Sequence, residues 1–262
     1  MSLTAPQVRL VELLRNARCA VVLTGAGVST GSGIPDFRSP GGLWSQVDPE
    51  RVVSLRGFHE DPEGFWAFYR QTWATLHDHQ PNVAHVALAA LQDAGVIAAV
   101  ITQNIDGLHQ KAGSREVVEV HGTTATCSCL GCGRRWRWRE IAALAAGLDG
   151  HVRCRDCAKQ IKPDVTLFGE GLAERAWAAA RGWVKRCDVL LCVGSSLSVK
   201  PVSNLPKRVA HHPHKTLVIA NAEPTPYTSQ ANIVLAGDCA LTLPPVAAAV
   251  RGSDPVGGGA GG

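Results

Sequence analysis

Apolar residues along this chain fall into short unbroken runs, separated by stretches in which they recur every third or fourth position. The runs Cys19 to Leu23, Val96 to Thr102, Val117 to Val120, Asp188 to Val193, Thr216 to Ala220 and Ile233 to Leu235 read as buried strands. Helical periodicity lies between several of them, over Asn82 to Asp93, Leu172 to Lys185 and a shorter stretch after Pro201. Another helix is expected near the start, where Thr4 and Pro6 supply start signals and Val8, Val11 and Leu14 follow at helical spacing. Strands apolar throughout, alternating with helices, indicate a parallel sheet covered on both faces. The pattern therefore predicts an α/β fold with a doubly wound, mostly parallel, Rossmann-like sheet.

Two stretches break the alternation. Gly41 to His79 carries an aromatic-rich helix with Phe65, Trp66, Phe68, Tyr69 and Trp73. Thr123 to Gln160 holds two cysteine pairs and a short Ala-rich helix, Glu140 to Leu148. Both read as inserts that together make a smaller lobe: a helical insert (41–79) and a zinc-binding ribbon (123–160). The large domain is then 1–40, 80–122 and 161–250. The Gly-rich end, 252–262, reads as a flexible tail. There is no internal repeat.

At 262 residues the chain is long enough for a sizeable core, and 45% hydrophobic with 18% charged residues argues against disorder. A net charge of +4 does not predict nucleic-acid binding. No apolar run reaches the roughly 18 residues that span a bilayer. Met1 to Pro6 has neither a basic start nor an apolar signal region, so a cytoplasmic location is expected. Nine cysteines in such a chain point to thiols and metal rather than disulfides. Cys19, Cys187 and Cys192 lie in or beside apolar runs and read as inert buried thiols.

Cys129-x-x-Cys132 and Cys154-x-x-Cys157 are two knuckles separated by residues 133 to 153. That spacing fits one tetrahedral zinc held by Cys129, Cys132, Cys154 and Cys157. Four thiolates close the coordination sphere, so the zinc is expected to be structural. Cys127 is set aside, because its one-residue gap to Cys129 does not make a knuckle turn. The neighbouring Arg134 to Arg139 alternates Arg and Trp. A ribbon strand with one solvated face is favoured there over a nucleic-acid site.

The first strand run leads into Gly25-Ala26-Gly27-Val28-Ser29. Glycines after a strand let the backbone approach a pyrophosphate, but a plain turn explains them too. Thr30 stands where a dinucleotide fingerprint has its third glycine. A long loop follows, dense in Gly and Pro yet carrying Asp36, Phe37 and Arg38, and such loops tend to cover sites. A second strand run leads into Thr102-Gln103-Asn104-Ile105-Asp106-Gly107-Leu108-His109, and a third into His121-Gly122. Amides, carboxylates and an imidazole at strand carboxyl ends sit where doubly wound folds bind ligands, although Asn104 and Asp106 also suit helix capping.

These segments resemble the sirtuins. Gly25 to Trp44 (GAGVSTGSGIPDFRSPGGLW) is similar to the sirtuin NAD-binding signature with its cofactor loop, and TQNIDGLH and the HG pair match further signatures. Lys162 to Glu170 (KPDVTLFGE), Gly194-Ser195-Ser196 and Asn221-Ala222-Glu223 continue the resemblance, which runs over roughly residues 8 to 244. It implies an NAD-dependent protein-lysine deacylase that releases nicotinamide and O-acyl-ADP-ribose. His121 is implied as general base, with Asn104 beside it in catalysis. The implied NAD contacts are Gly25, Ala26, Gly27, Ser29, Asp36, Phe37, Arg38, Trp44, Gln103, Asn104, Ile105, Asp106, Gly194, Ser195, Ser196, Asn221, Ala222, Glu223 and Cys239. Val165, Phe168, Gly169 and Glu170 are implied to pair with an acyl-lysine peptide as an added strand. Phe37 is implied to screen the reaction from water, and Arg38 to sit near the phosphates.

Departures mark the limits. No Tyr-x-x-Arg pair stands on the helical insert, since Thr72 follows Tyr69 by three and Ala67 precedes Arg70 by three, which argues against acidic acyl groups. Phe65 to His85 distantly resembles mitochondrial sirtuins with ADP-ribosyl transfer or lipoyl removal, although its aromatics read as core. Lys200 stands where many relatives have Tyr. Thr228-Ser229-Gln230 stands where relatives often have acidic residues. The alternatives are a mono-ADP-ribosyltransferase or lipoamidase on the same scaffold and, from another class, an NAD-sensing binding module. The expected partners are acyl-lysine proteins, with no membrane and no nucleic acid.

Overall fold

All six apolar runs read as strands pair into one sheet. The computed structural model describes residues 2–36, 48–145 and 152–252. In chain order the first elements are α1 (Ala5–Asn16), β1 (Ala20–Thr24), α2 (Pro49–Val52), α3 (Leu55–Glu60), α4 (Pro62–Phe68), α5 (Val83–Asp93), β2 (Ile97–Thr102), α6 (Leu108–Lys111) and β3 (Val117–Glu119). They continue with β4 (Gly122–Cys129), β5 (Arg135–Arg137), α7 (Trp138–Ala145), β6 (Ile161–Val165), α8 (Glu174–Arg186), β7 (Val189–Val193), α9 (Lys207–Ala210), β8 (Thr216–Asn221), β9 (Ile233–Ala236) and α10 (Cys239–Arg251).

The large sheet has the order β3-β2-β1-β7-β8-β9, and each neighbouring pair is parallel. Counted within the sheet, this is 3-2-1-4-5-6, the order of doubly wound dinucleotide-binding sheets. Strand order reverses between β1 and β7, so a crevice opens at their carboxyl ends. The unbroken apolar runs follow from burial on both faces. Ala20 and Val22 of β1 pack with Leu10 and Leu14 of α1, Leu88 of α5 and Val246 of α10. Val21 and Leu23 face the opposite layer, with Ala180 and Val184 of α8 and Val209 of α9. With a period of two and a hydrophobic layer on each side, every position must be apolar.

In the second, antiparallel sheet of order β5-β4-β6, β5 is the ribbon strand expected of the Arg and Trp stretch, whereas β4 and β6 were not foreseen from sequence. Its strands β4 and β6 look neither uniformly apolar nor cleanly alternating, because they rest on the helical insert instead of on a helix layer of the main sheet. Cys127, Cys129, Ile161 and Val165 share one core with Phe58, Phe65, Trp66, Phe68, Tyr69 and Trp73. The insert aromatics are therefore core, joined by edge-to-face contacts such as Trp66 to Tyr69 at 5.1 Å between ring centres. The Tyr69 hydroxyl donates inward to the Thr124 carbonyl at 3.4 Å.

Two further differences have local causes. The Ala-rich helix begins at Trp138, two residues earlier than expected, and its far end falls outside the described residues. The helix α10 was not foreseen, because Pro244 and Pro245 lie inside it. Asp238 caps it by accepting from Ala240 N at 2.8 Å, and Leu243, Val246, Ala247 and Val250 bury its apolar face. Residues 253–262 of the expected tail lie outside the described residues.

Candidate active site

The turns after β1 and β7 interlock at the point where strand order reverses. Gly25 N donates to Val193 O at 3.2 Å, and Gly27 N to Gly194 O at 2.8 Å. A Cβ on Gly25 would sit 2.8 Å from Ser195 Oγ, and one on Gly27 would sit 2.9 Å from Gly194 O. Gly194 has φ +56°, and a Cβ there would run into Val28 N. These glycines allow two loops to touch, and the same bareness leaves backbone open to a ligand. Asn82, which caps α5, reaches over from the other side. Its Nδ2 donates to Val28 O at 2.8 Å and to Ser32 Oγ at 3.1 Å.

Beneath the turn runs a buried polar chain. Ser29 Oγ donates to Asp106 Oδ2 at 2.7 Å, and Leu108 N donates to Asp106 Oδ1 at 2.9 Å. Asn104 Nδ2 donates to Ser29 Oγ at 3.0 Å and to Gly25 O at 3.2 Å. With both amide protons placed, Asn104 Oδ1 has no partner among the described residues. His85 accepts from Asn82 N on Nδ1 (3.3 Å), so its Nε2 carries the proton and faces Ser29 Oγ at 3.4 Å. Next to it, His109 Nε2 lies 2.9 Å from Thr24 Oγ1, which donates to Thr102 Oγ1 at 2.8 Å. Burial holds the His85 and His109 pKa values below the usual range, His109 at about 3. Both rings are neutral at neutral pH.

His121 ends the neighbouring β3 run. Its Nδ1 lies 3.0 Å from the Gln103 carbonyl, which only accepts, so the proton is on Nδ1 and Nε2 carries the lone pair. Burial lowers the His121 pKa, and the bond to Gln103 opposes this only in part. The HG pair also has a steric origin. Gly122 has φ +79°, and a Cβ on it would run into the Asp164 carbonyl where β4 passes β6.

These groups converge on one cavity of about 780 Å³. Gly25, Ala26, Gly27, Asp36, Gln103, Asn104, Ile105 and His121 line one side, with Gly194, Ser195 and Ser196 from the β7 turn. Asn221, Ala222 and Glu223 after β8 and Cys239 at the head of α10 extend it. Asn221 Nδ2 pins this turn to Glu223 O at 2.7 Å, and Cys239 Sγ lies 3.6 Å from Gly27 O. The opposite wall is Val165 to Glu170, tied to His121 by Thr166 N, which donates to His121 O at 2.8 Å.

Away from the cavity, the sulfurs of Cys129, Cys132, Cys154 and Cys157 all lie within 4.8 Å of one another. Cys129 and Cys157 are 3.3 Å apart and Cys132 and Cys154 3.7 Å. A zinc with sulfurs at about 2.3 Å sets tetrahedral corners about 3.8 Å apart, so the donor set and its spacing fit that ion. Cys127 stands outside the cluster, 3.6 Å from the Tyr69 hydroxyl.

Residues 25–201 match the model of the Sir2 family. The chain belongs to that family. Among Sir2 relatives, it is 41% identical to the NAD-dependent protein deacylase 2 of Archaeoglobus fulgidus, over 93% of this chain and 95% of that protein. It is 45% identical to the NAD-dependent protein deacetylase of Haloarcula marismortui, over 90% of this chain and 92% of that one. A solved complex of Sir2 with a p53 peptide and NAD+ superposes with a TM-score of 0.86 at 35% identity, covering 94% of this chain and 98% of that one.

Of the residues marked by the sirtuin resemblance, Phe37, Arg38 and Trp44 lie outside the described residues. Ser29 and Asp106 are buried behind Asn104 and do not line the cavity. Sequence reasoning missed His85 and the Thr24–Thr102–His109 cluster. It also missed Val53 and Trp73 of the insert, which line the cavity although Trp73 is otherwise core. His85 carried one readable signal, its place three residues after a capping Asn. Of the alternating basic stretch, Arg134 pairs with Asp156 at 2.5 Å and Arg135 with Asp164 at 3.1 Å. Among the described residues no helix is long and apolar enough to cross a membrane.

Proposed function

We propose that this chain is an NAD-dependent protein-lysine deacylase that transfers the acyl group of an acyl-lysine protein to ADP-ribose and releases nicotinamide. One observation carries the reading: a neutral imidazole of fixed tautomer, His121, shares a single cavity with the glycine turn and with Asn104. The cavity suits NAD on three counts: its size, the bare glycine backbone along it, and Asn104 Oδ1, which has no partner among the described residues.

NAD supplies a labile bond between nicotinamide and ribose, and a sugar to receive the acyl group. The chain does the rest by placement and proton handling. Gly25, Ala26, Gly27, Ser195 and Ser196 offer backbone and hydroxyls to the phosphates. Asn221 and Glu223 suit the adenosine ribose, and Cys239 with Ala222 the adenine. Gln103, Asn104 and Ile105 would hold the nicotinamide ribose, with Ser29 and Asp106 fixing the Asn104 amide from behind. His121 Nε2 takes a hydroxyl proton as general base. Val165, Phe168, Gly169 and Glu170 form the peptide wall. Val53, Trp73, Ile105, Val165 and Leu167 give the cavity an apolar stretch, which supports a neutral acyl chain. Cys129, Cys132, Cys154 and Cys157 would hold zinc as a closed, structural site.

The test is incubation with an acetyl-lysine peptide and NAD labelled in its adenylate half. Nicotinamide and labelled acyl-ADP-ribose should appear together. Label retained on protein would instead indicate ADP-ribosyl transfer, and absence of nicotinamide release would refute both.

A further inference from the structure

The wall of the cavity facing His121 is held by a buried lysine that no part of the proposed chemistry uses. Lys162, on β6, has only 11% of its side chain exposed. Its ammonium meets three acceptors: Val165 O at 2.7 Å, Pro163 O at 3.1 Å and Glu170 Oε2 at 3.1 Å. Two carbonyls accept its hydrogen bonds, and the Glu170 carboxylate balances its charge as an ion pair. The same Glu170 oxygen accepts from Leu167 N at 2.8 Å, and Glu170 N donates back to Leu167 O at 3.0 Å. One ammonium thus closes the loop from Val165 to Glu170 on itself.

The arrangement has a direction. Burial of a charge is costly unless it is paired and fully hydrogen-bonded, so Lys162 and Glu170 depend on each other. The outer edge of the wall hangs on the helical insert, through Phe168 N to Val53 O (3.0 Å) and Leu55 N to Phe168 O (2.9 Å). Its inner end is joined to His121 by Thr166 N. Lys162 is the tie between those two attachments. Glu170 is turned toward it, so its carboxylate serves the loop and is not a free anion for a cationic peptide.

We propose that Lys162, acting through Glu170, is a positioning residue that fixes the 165–170 wall and so sets the affinity for the acyl-peptide substrate. The proposal rests on the deacylase reading for the identity of the ligand, while the pinning of the wall stands apart from it. Full-length Lys162→Met, Glu170→Gln and the double variant are compared with wild type in two ways. Hydrogen exchange should show the Thr166 to Glu170 amides of Lys162→Met exchanging about tenfold faster or more, with β1 and β7 unchanged. Steady-state kinetics should show the peptide KM rising about tenfold while kcat and the NAD KM move less than about twofold. Glu170→Gln should move the same quantities in the same direction, and the double variant should be no worse than Lys162→Met alone.

Unchanged exchange and unchanged peptide KM in both single variants would overturn the proposal. An equal rise in the NAD KM, or additive effects in the double variant, would overturn it too. If Lys162→Met does not fold, Glu170→Gln carries the same test. A wild type without deacylase activity would refute the functional reading, and exchange would still decide whether Lys162 pins the wall.

Discussion

His121 donates its Nδ1 proton to the Gln103 carbonyl, the last backbone acceptor before Asn104. One hydrogen bond thereby fixes which imidazole nitrogen is basic and ties that ring to the amide-bearing loop. Because burial lowers the His121 pKa, the ring is neutral at neutral pH. Log kcat/KM should therefore rise with pH through a pKa below 6.5 and be flat above it. His121→Ala should lose about 10²-fold or more in deacylation, with the melting temperature nearly unchanged. Acetyl-peptide turnover measured across pH checks both, and full activity in the variant would remove the base assignment.

Gly194→Ala tests the interlock of the two turns. The new side chain meets a positive φ and a neighbouring backbone, so the β1 turn must shift. We expect a loss of about 2–4 kcal/mol in stability and at least about tenfold in NAD affinity. Gly95→Ala is the control: it has φ +73° but nothing within 4 Å, and should cost about 1 kcal/mol with the NAD KM intact. Equal effects from the two substitutions would argue against the interlock.

His109 predicts acid sensitivity. Its folded pKa is about 3, from burial, against about 6.5 unfolded, so the unfolded chain binds the extra proton between those values. Stability should fall by up to about 1.4 kcal/mol per pH unit as pH drops below 6.5, the loss ending near pH 3. His85 and His121 are shifted in the same direction and add to it. His109→Gln should have a shallower slope of unfolding free energy against pH, read from urea titrations between pH 4 and 7. Identical slopes would mean that the ring is not held neutral.

Metal removal should strike the small sheet first. Cys129 and Cys154 belong to the same core as Trp66, Tyr69 and Trp73. Metal analysis should give one zinc per folded chain. Chelation should lower the melting temperature by about 5 °C or more, and near-ultraviolet circular dichroism should weaken as those aromatics lose their fixed packing. A chelated protein with an unchanged melting temperature and spectrum would show that the cysteines carry no structural metal.

The parallel sheet was readable because burial on both faces leaves a signature in one strand alone. Ala20 to Leu23 has no polar position to confuse it with anything else. The cysteine cluster was equally readable, since knuckle spacing is local chemistry. Strands β4 and β6 were not, because their inner partners are aromatics more than fifty residues earlier in the chain, and pairing at that range leaves no period in either strand. Proline hid α10 for a different reason: Pro244 and Pro245 argue against a helix locally, and packing of Leu243, Val246 and Val250 overrides them.

The site divides along the same line. Sequence alone determined which chemical groups stand at the carboxyl ends of the strands: the glycines, Asn104, His121 and Glu223, each placed by the short range of its own strand and turn. Tertiary structure decided how they are used. It turned Ser29 and Asp106 inward behind Asn104, brought Trp73 to the cavity, and left His85 and His109 neutral in the interior. Those outcomes depend on burial and on partners remote in sequence, and no local pattern encodes either.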